Sequence, residues 1–247
     1  MKTIVVTGAA GGIGHAVVKK IINDELADNI LALDNDIDAL NILEKEFDNI
    51  KSLSLDVTKL DEYKNIEKVI DDNKLEVIGL VNSAGVQISG ESLNYSSDNW
   101  EKVLSINLSG TFYISQLIGR YMIENSYGSI VNITSVAEKF GWPGRAPYAA
   151  TKAGVSSLTR TLAAEWGSEG VRVNAVCPGY IETQLMRESI ESGRVNESEL
   201  LKMIALERIG TPLDVANIIL FLLSEDSNYI TGTTVDVDGG FSIRKIN

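Results

Sequence analysis

Lys2-Thr-Ile-Val-Val-Thr7, followed at once by Gly8-Ala-Ala-Gly-Gly-Ile-Gly14, decides the fold of this chain. The first six residues read as a short buried strand, and Ile13, Val17, Val18, Ile21 and Ile22 then recur at helical spacing. A strand, a glycine turn and a helix start make an anion site, because unpaired N–H groups and the positive end of the helix dipole face one point. Gly8, Gly12 and Gly14 form TGxxxGxG rather than G-x-G-x-x-G, since Ala10 holds the second glycine place. The physics is the same: a tight turn, close approach of backbone to a pyrophosphate, and close packing of helix on strand. A P-loop needs Gly-Lys-Ser/Thr at the helix start, which Gly14-His15-Ala16 lacks.

A second apolar strand, Ile30-Leu-Ala-Leu33, ends in Asp34, twenty residues beyond Gly14. An acid at that interval bonds the ribose hydroxyls of a dinucleotide. Its charge repels a 2′-phosphate, and neither Asn35 nor the glycine turn offers a lysine or arginine to receive one. The expected cofactor is therefore NAD, with NADP disfavoured.

Working outward, strand-like segments recur near residues 2–7, 29–34, 50–55, 77–83, 128–134, 171–177 and 233–237. Helical patterns fill the gaps near 12–24, 36–46, 59–72, 97–125, 148–168 and 212–224. That alternation predicts an α/β chain with a doubly wound parallel sheet of about seven strands and right-handed crossovers. No repeat, low-complexity tract or Pro/Ser-rich linker interrupts it, so residues 1–247 are read as a single domain. Only 183–210 breaks the rhythm. It is rich in glutamate, carries Leu185, Met186, Leu200, Leu201, Met203 and Ile204, and reads as a substrate-binding lid.

Tyr148 and Lys152 stand four residues apart, about one helical turn, so both project from one face. An ammonium fixed beside a phenol favours the phenolate and lowers the tyrosine pKa. Such a pair suits general acid/base work on an alcohol or a carbonyl.

Composition agrees. Hydrophobic residues make up 44% of the 247, enough for a sizeable core, and the net charge of −12 argues against nucleic acid or anionic lipid as partners. A single cysteine, Cys177, excludes an internal disulfide and suits a reducing cytoplasm. No apolar run approaches the roughly 20 residues that span a bilayer, and no export signal precedes the glycine turn. One histidine, His15, and one cysteine build no zinc site, and no G-x-S-x-G elbow supports a hydrolase.

The chain resembles the short-chain dehydrogenase/reductase family over nearly its whole length. Thr7–Gly14, including Ile13, looks like the family's cofactor turn, and Asp56-Val57 like the pair that holds the adenine. Asn82-Ser-Ala-Gly85 resembles NNAG, with Ser83 in place of the second Asn, so Asn82, Ala84 and Gly85 join the cofactor set. Pro178, Gly179, Ile181 and Thr183 lie in a segment similar to the PG-x-x-x-T nicotinamide clamp, and Asp238-Gly239-Gly240 resembles the family's C-terminal close. Asn107, in Ser105-Ile-Asn-Leu108, and Ser135, thirteen residues before Tyr148, align with catalytic positions.

The resemblance implies a Rossmann-like fold and hydride transfer between a nicotinamide and a secondary alcohol or ketone. In it Tyr148 acts as acid/base, Lys152 depresses its pKa and holds the nicotinamide ribose, Ser135 bonds the reacting oxygen, and Asn107 holds a relay water. Family geometry places Gln87, Glu138, Trp142, Arg145, Tyr180 and Met186 near the substrate. Arg145 is suited to a substrate carboxylate or phosphate, or to pairing with Glu138. Two alternatives stand beside this reading: a 3-oxoacyl carrier-protein reductase, opposed by Asp34 and the acidic surface, and an idle NAD-binding regulator, opposed by the intact Ser135, Asn107, Tyr148 and Lys152. The resemblance also implies a homodimer or homotetramer built on the helices near 97–125 and 148–168, the second rich in short side chains.

Overall fold

Seven strands run in parallel: β1 (Lys2–Thr7), β2 (Asn29–Asp34), β3 (Ile50–Ser54), β4 (Glu76–Asn82), β5 (Gly128–Ile133), β6 (Val171–Pro178) and β7 (Thr234–Val237). In the computed structural model they form one sheet in the order β3-β2-β1-β4-β5-β6-β7. The helices are α1 (Gly12–Asn23), α2 (Ile37–Glu46), α3 (Tyr63–Asn73), α4 (Ser97–Leu104), α5 (Thr111–Glu124), α6 (Ala146–Trp166), α7 (Gln184–Glu191), α8 (Glu197–Met203) and α9 (Pro212–Leu223). The structure describes residues 1–191, 193 and 195–244. Positions 192 and 194 of the expected lid, and the side chain of Leu185, lie outside the described residues.

Both faces of the sheet are covered, which is why its strands read as continuous apolar runs rather than alternating ones. Along β1, Ile4 and Val6 face α1, α2 and α9, where they meet Val17, Leu40 and Ile219. Val5 faces the other way, toward Ile66 of α3, Ile118 of α5 and Leu162 of α6. Full burial of each such side chain contributes roughly 1.5–3 kcal/mol.

From β1 the chain winds outward to β3, then crosses back to start β4 on the other side of β1. Ligands of open α/β sheets bind in the crevice at this switch point, outside the carboxyl ends of the strands. Beneath the crevice a buried polar chain ties the layers together. Asn82 donates to Ser115 of α5 (2.9 Å) and to Asn132 of β5 (2.8 Å), and Asn132 donates to Thr159 of α6 (2.9 Å). Satisfied buried networks of this kind hold elements in one register.

The sheet and the expected helices agree with the sequence within a few residues. Two differences bear on the site. The pattern 97–125 is not one α-helix: Ser105–Gly110 is a π-helical turn between α4 and α5. The region 183–210 contains α7 and α8, and its base is pinned by the Ile181–Gly210 bridge and by hydrogen bonds from Glu182 to Gly210 (2.7 Å) and from Gly210 to Tyr180 (2.9 Å).

Candidate active site

The glycine turn is built to a tolerance that admits no side chain. Gly8 has φ +63°, and a Cβ there would lie 2.8 Å from the Ala84 nitrogen. A Cβ on Gly14 would lie 2.0 Å from the Gly8 carbonyl oxygen, so this glycine serves packing and does not line the crevice. Thr7 fastens β1 to the loop after β4 by accepting N–H bonds from Ser83 and Ala84, each 3.2 Å. These contacts use the backbone of residue 83, so serine serves there as well as asparagine. At the end of β2 the Asp34 carboxylate accepts from the N–H groups of Ala10 (3.0 Å) and Asp36 (3.1 Å), which fixes it beside the turn.

A cavity of about 460 Å³ opens above these residues. Gly8, Gly12, Ile13 and Asp34 line it, with Asp56 and Val57 from the end of β3. Ala84, Gly85, Tyr148, Lys152 and Thr183 line it too, as expected. A dinucleotide fits this cradle: its backbone approach is open only because glycine stands at positions 8 and 12, and Thr183 already lies 3.0 Å from where a Cβ of Gly12 would be. Gly11, Asn35, Val86, Ile106 and Ile133 also line the cavity but were not anticipated as site residues. Gly11, Asn35 and Ile133 adjoin the turn or a strand end, a signal that proximity rules supply. Ile106 sits in the π-helical turn, which periodicity does not reveal.

A second cavity, of about 240 Å³, shares Ile13, Gln87, Ile133, Tyr148 and Thr183 with the first. Ser135, Trp142, Arg145, Tyr180 and Met186 line it as expected. Pro178, Gly179 and Ile181, assigned to the cofactor, line this second cavity instead. Two other assignments change. Asn82 is buried under the crevice and spends its amide on Ser115 and Asn132, so it supports the cofactor loop without facing the cavity. Glu138 lines neither cavity: it accepts from Ser156 of α6 at 2.5 Å, and so is no partner to Arg145.

Around Tyr148 the sequence pattern yields tight geometry. Lys152 lies on the same helix face, its Nζ 5.7 Å from the Tyr148 ring centroid, and it donates to the Ile133 carbonyl at 2.7 Å. The expected lowering of the Tyr148 pKa by Lys152 is not found. Burial pushes the phenol above 10, opposed by hydrogen bonding from Ser135 and by the positive charge of Arg145. Lys152 is itself desolvated, which brings it down to about 8. The Lys152 ammonium is buried and spent on the Ile133 carbonyl, so burial of the phenol decides the direction.

Ser135 stands at the end of β5 and its Oγ accepts from Ala137 N–H at 3.2 Å, which orients the hydroxyl beside Tyr148. The π-helical turn carries Asn107 inward. Its Oδ1 accepts from Val86 N–H (2.8 Å), and its Nδ2 donates to the Val86 carbonyl (2.9 Å) and to Thr151 (3.3 Å). A wider turn of this type re-aims a side chain that a regular helix would point elsewhere. Cys177 is buried and its thiol is pushed up to about 12 by desolvation, which leaves it inert. Half-buried His15 packs at the helix start, its pKa lowered chiefly by burial. Among the described residues no acidic, His or Cys cluster fits a metal, and no helix is long and apolar enough to cross a membrane.

Fold and crevice together define a nucleotide-binding oxidoreductase. Comparisons with known proteins agree: residues 8–242 match a family model described as enoyl-(acyl carrier protein) reductase. The 3-oxoacyl-(acyl-carrier-protein) reductase FabG of Thermotoga maritima is 38% identical, over 98% of each chain. A gluconate 5-dehydrogenase from Burkholderia cenocepacia, solved with NADP and tartrate, superposes with a TM-score of 0.92 at 28% identity, over 99% of this chain and 96% of that one. A 4-hydroxyisoleucine dehydrogenase complexed with NADH gives 0.91 at 32%, over 99% and 100%. The chain belongs to the short-chain dehydrogenase/reductase family. It is an oxidoreductase of CH–OH or keto groups that uses a nicotinamide nucleotide.

Burial of Lys152 has a consequence for stability. Its pKa is about 8 in the fold against 10.5 in a free chain, so between these values the unfolded state binds the extra proton. Its charge therefore opposes folding fully below pH 8, and stability rises from pH 8 to 10.5. Lys152→Met is expected to raise the Tm below pH 8 relative to the parent and to lose that rise, measured by thermal melts across pH.

Proposed function

We propose that this enzyme is an NAD(H)-dependent dehydrogenase/reductase of secondary alcohols and ketones, working in the cytoplasm through Ser135, Tyr148, Lys152 and Asn107. The observation that carries the reading is that Ser135 and Tyr148 both line the second cavity, and that Tyr148 also lines the first. A bound nicotinamide supplies or accepts the hydride. Tyr148 holds the proton and delivers it to the substrate oxygen during reduction, and the phenolate left by that step is the form that takes a proton in the oxidative direction. Burial keeps the phenol protonated at neutral pH, so the proton moves only as a strongly basic oxygen develops. Ser135 donates a hydrogen bond to the same oxygen, which matters most where charge builds.

Lys152 is placed to hold the ribose beside the nicotinamide and to return a proton to Tyr148. Asn107 braces the Val86 backbone, and both Asn107 and Lys152 crowd Gly85, within 3.3 and 3.7 Å of where a Cβ would stand. That position makes it the polar group through which a relay water would reach Lys152.

NAD is preferred to NADP because Asp34 is fixed at the cavity and Lys152 is its sole cation among the described residues. A lone buried thiol agrees with a reducing compartment. A second reading, a 3-oxoacyl carrier-protein reductase, is favoured by the relative of that name at 38% identity.

The reading extends to assembly. Ala150, Ala153 and Ser157 leave an exposed stripe of short side chains on α6, and Trp100 of α4 and Tyr113 of α5 are exposed as well. This stripe is assigned to a homodimer or homotetramer interface. In the segment 183–210, α8 is anchored by buried Leu200 and Ile204, whereas Met186 and Ser189 of α7 line the second cavity. The lid role therefore falls to α7.

Absorbance at 340 nm, with NADH and NADPH against a panel of ketones and an acetoacetyl thioester, tests the chemistry. The expected result is a higher kcat/KM with NADH, abolished in Tyr148→Phe while NADH still binds. Preference for NADPH with the thioester would establish the second reading. Sedimentation as a monomer would overturn the assembly. Slower amide exchange in α7 on cofactor binding is expected, and unchanged exchange would exclude a lid.

A further inference from the structure

Among the described residues, Arg145 is a cation without a carboxylate. Its guanidinium lies 4.5 Å above the Trp142 ring, and among the described residues it makes no ion pair and no side-chain hydrogen bond. The acid nearest in sequence, Glu138, is committed to Ser156. Trp142 is itself held: it stacks on Phe241 (5.8 Å, interplanar angle 5°) and meets Tyr180 edge-on (5.8 Å). A guanidinium supported on a fixed aromatic plane keeps its hydrogen-bonding fork free and oriented.

The lining of the second cavity gives this arrangement its meaning. The chain has 34 Asp and Glu against 22 Lys and Arg, yet among the described residues lining that cavity there is no carboxylate, and Arg145 is the only cation. Arg145 precedes Tyr148 by three residues at the start of α6, so both side chains address one small space from the same helical turn. Their proximity is felt electrostatically, since Arg145 pulls the Tyr148 phenol downward against burial. At about 240 Å³ the space is below the usual range of roughly 300–1,000 Å³ for larger ligands. It suits a short, compact substrate.

We propose that the substrate is a short oxo or hydroxy acid, its carboxylate held by Arg145 and its reacting carbon a few bonds away beside Tyr148 and Ser135. This rests on the dehydrogenase reading of the site and adds the substrate class. A planar carboxylate accepts two parallel N–H bonds from a guanidinium, and a neutral ester does not.

The test compares short 2-oxo and 3-oxo acids with their methyl esters, as a ratio of kcat/KM, in the parent and in Arg145→Met. Arg145 makes no side-chain cap to α6, so its replacement removes the charge without removing a cap. The expected acid-to-ester ratio falls by about 10- to 100-fold in Arg145→Met, mainly through KM, as charge-assisted hydrogen bonds are lost. Arg145→Lys should recover part of it. A ratio unchanged by Arg145→Met overturns the proposal.

Malonate, which carries no carbonyl to reduce, gives a second readout through tryptophan fluorescence. Binding weakened at least tenfold in Arg145→Met supports the assignment, and equal or absent binding overturns it. The underlying reading fails separately: turnover undiminished in Tyr148→Phe would remove the tyrosine mechanism, whatever Arg145 does.

Discussion

Everything in this structure depends on how closely three backbones meet at the carboxyl end of β1. The Gly8 carbonyl lies against the Cα of Gly14, and the Gly8 Cα against the backbone of Ala84, at distances that leave no room for a methyl group. This contact sets where α1 starts, how near it comes to the sheet, and how the loop after β4 is held. Thr7 secures the same junction through two N–H bonds. Without it there would be neither an open anion site at the helix N-terminus nor a cavity between Asp34 and Tyr148.

The candidate catalytic groups are arranged on rigid elements around that junction. Ser135 comes from the end of β5, Tyr148 and Lys152 from the first turns of α6, and Asn107 from a π-helical turn. Burial, rather than the neighbouring ammonium, dominates both titrating groups, raising Tyr148 and lowering Lys152. The site thus holds a protonated phenol and an easily neutralised amine side by side, a pairing suited to passing one proton along. Beside these groups, Trp142, Tyr180 and Phe241 form an aromatic stack under Arg145.

Local signals made most of the fold legible. Strands buried on both faces, glycines at fixed offsets and a tyrosine–lysine pair one helical turn apart are short-range features, and a linear reading finds them. Features that depend on what a side chain meets across the molecule were not legible. Asn82 looked like a cofactor ligand and is a buried strut, because its partners Ser115 and Asn132 lie 33 and 50 residues away. Glu138 looked like a pocket residue until Ser156 claimed it. The π-helical turn follows from no periodicity, since one widened turn leaves the apolar pattern of α4 and α5 nearly intact.

The sequence by itself determined the parallel α/β order, the glycine cradle with its acid at Asp34, and which residues are candidates for proton and hydrogen-bond chemistry. Spacing along one chain controls these. Tertiary structure alone decided that Lys152 would be desolvated, that Arg145 would stand on Trp142 with no ion-pair partner among the described residues, and that Phe241, 99 residues after Trp142, would brace the stack. Desolvation and charge pairing are properties of a three-dimensional neighbourhood, and that neighbourhood exists only once distant segments have packed.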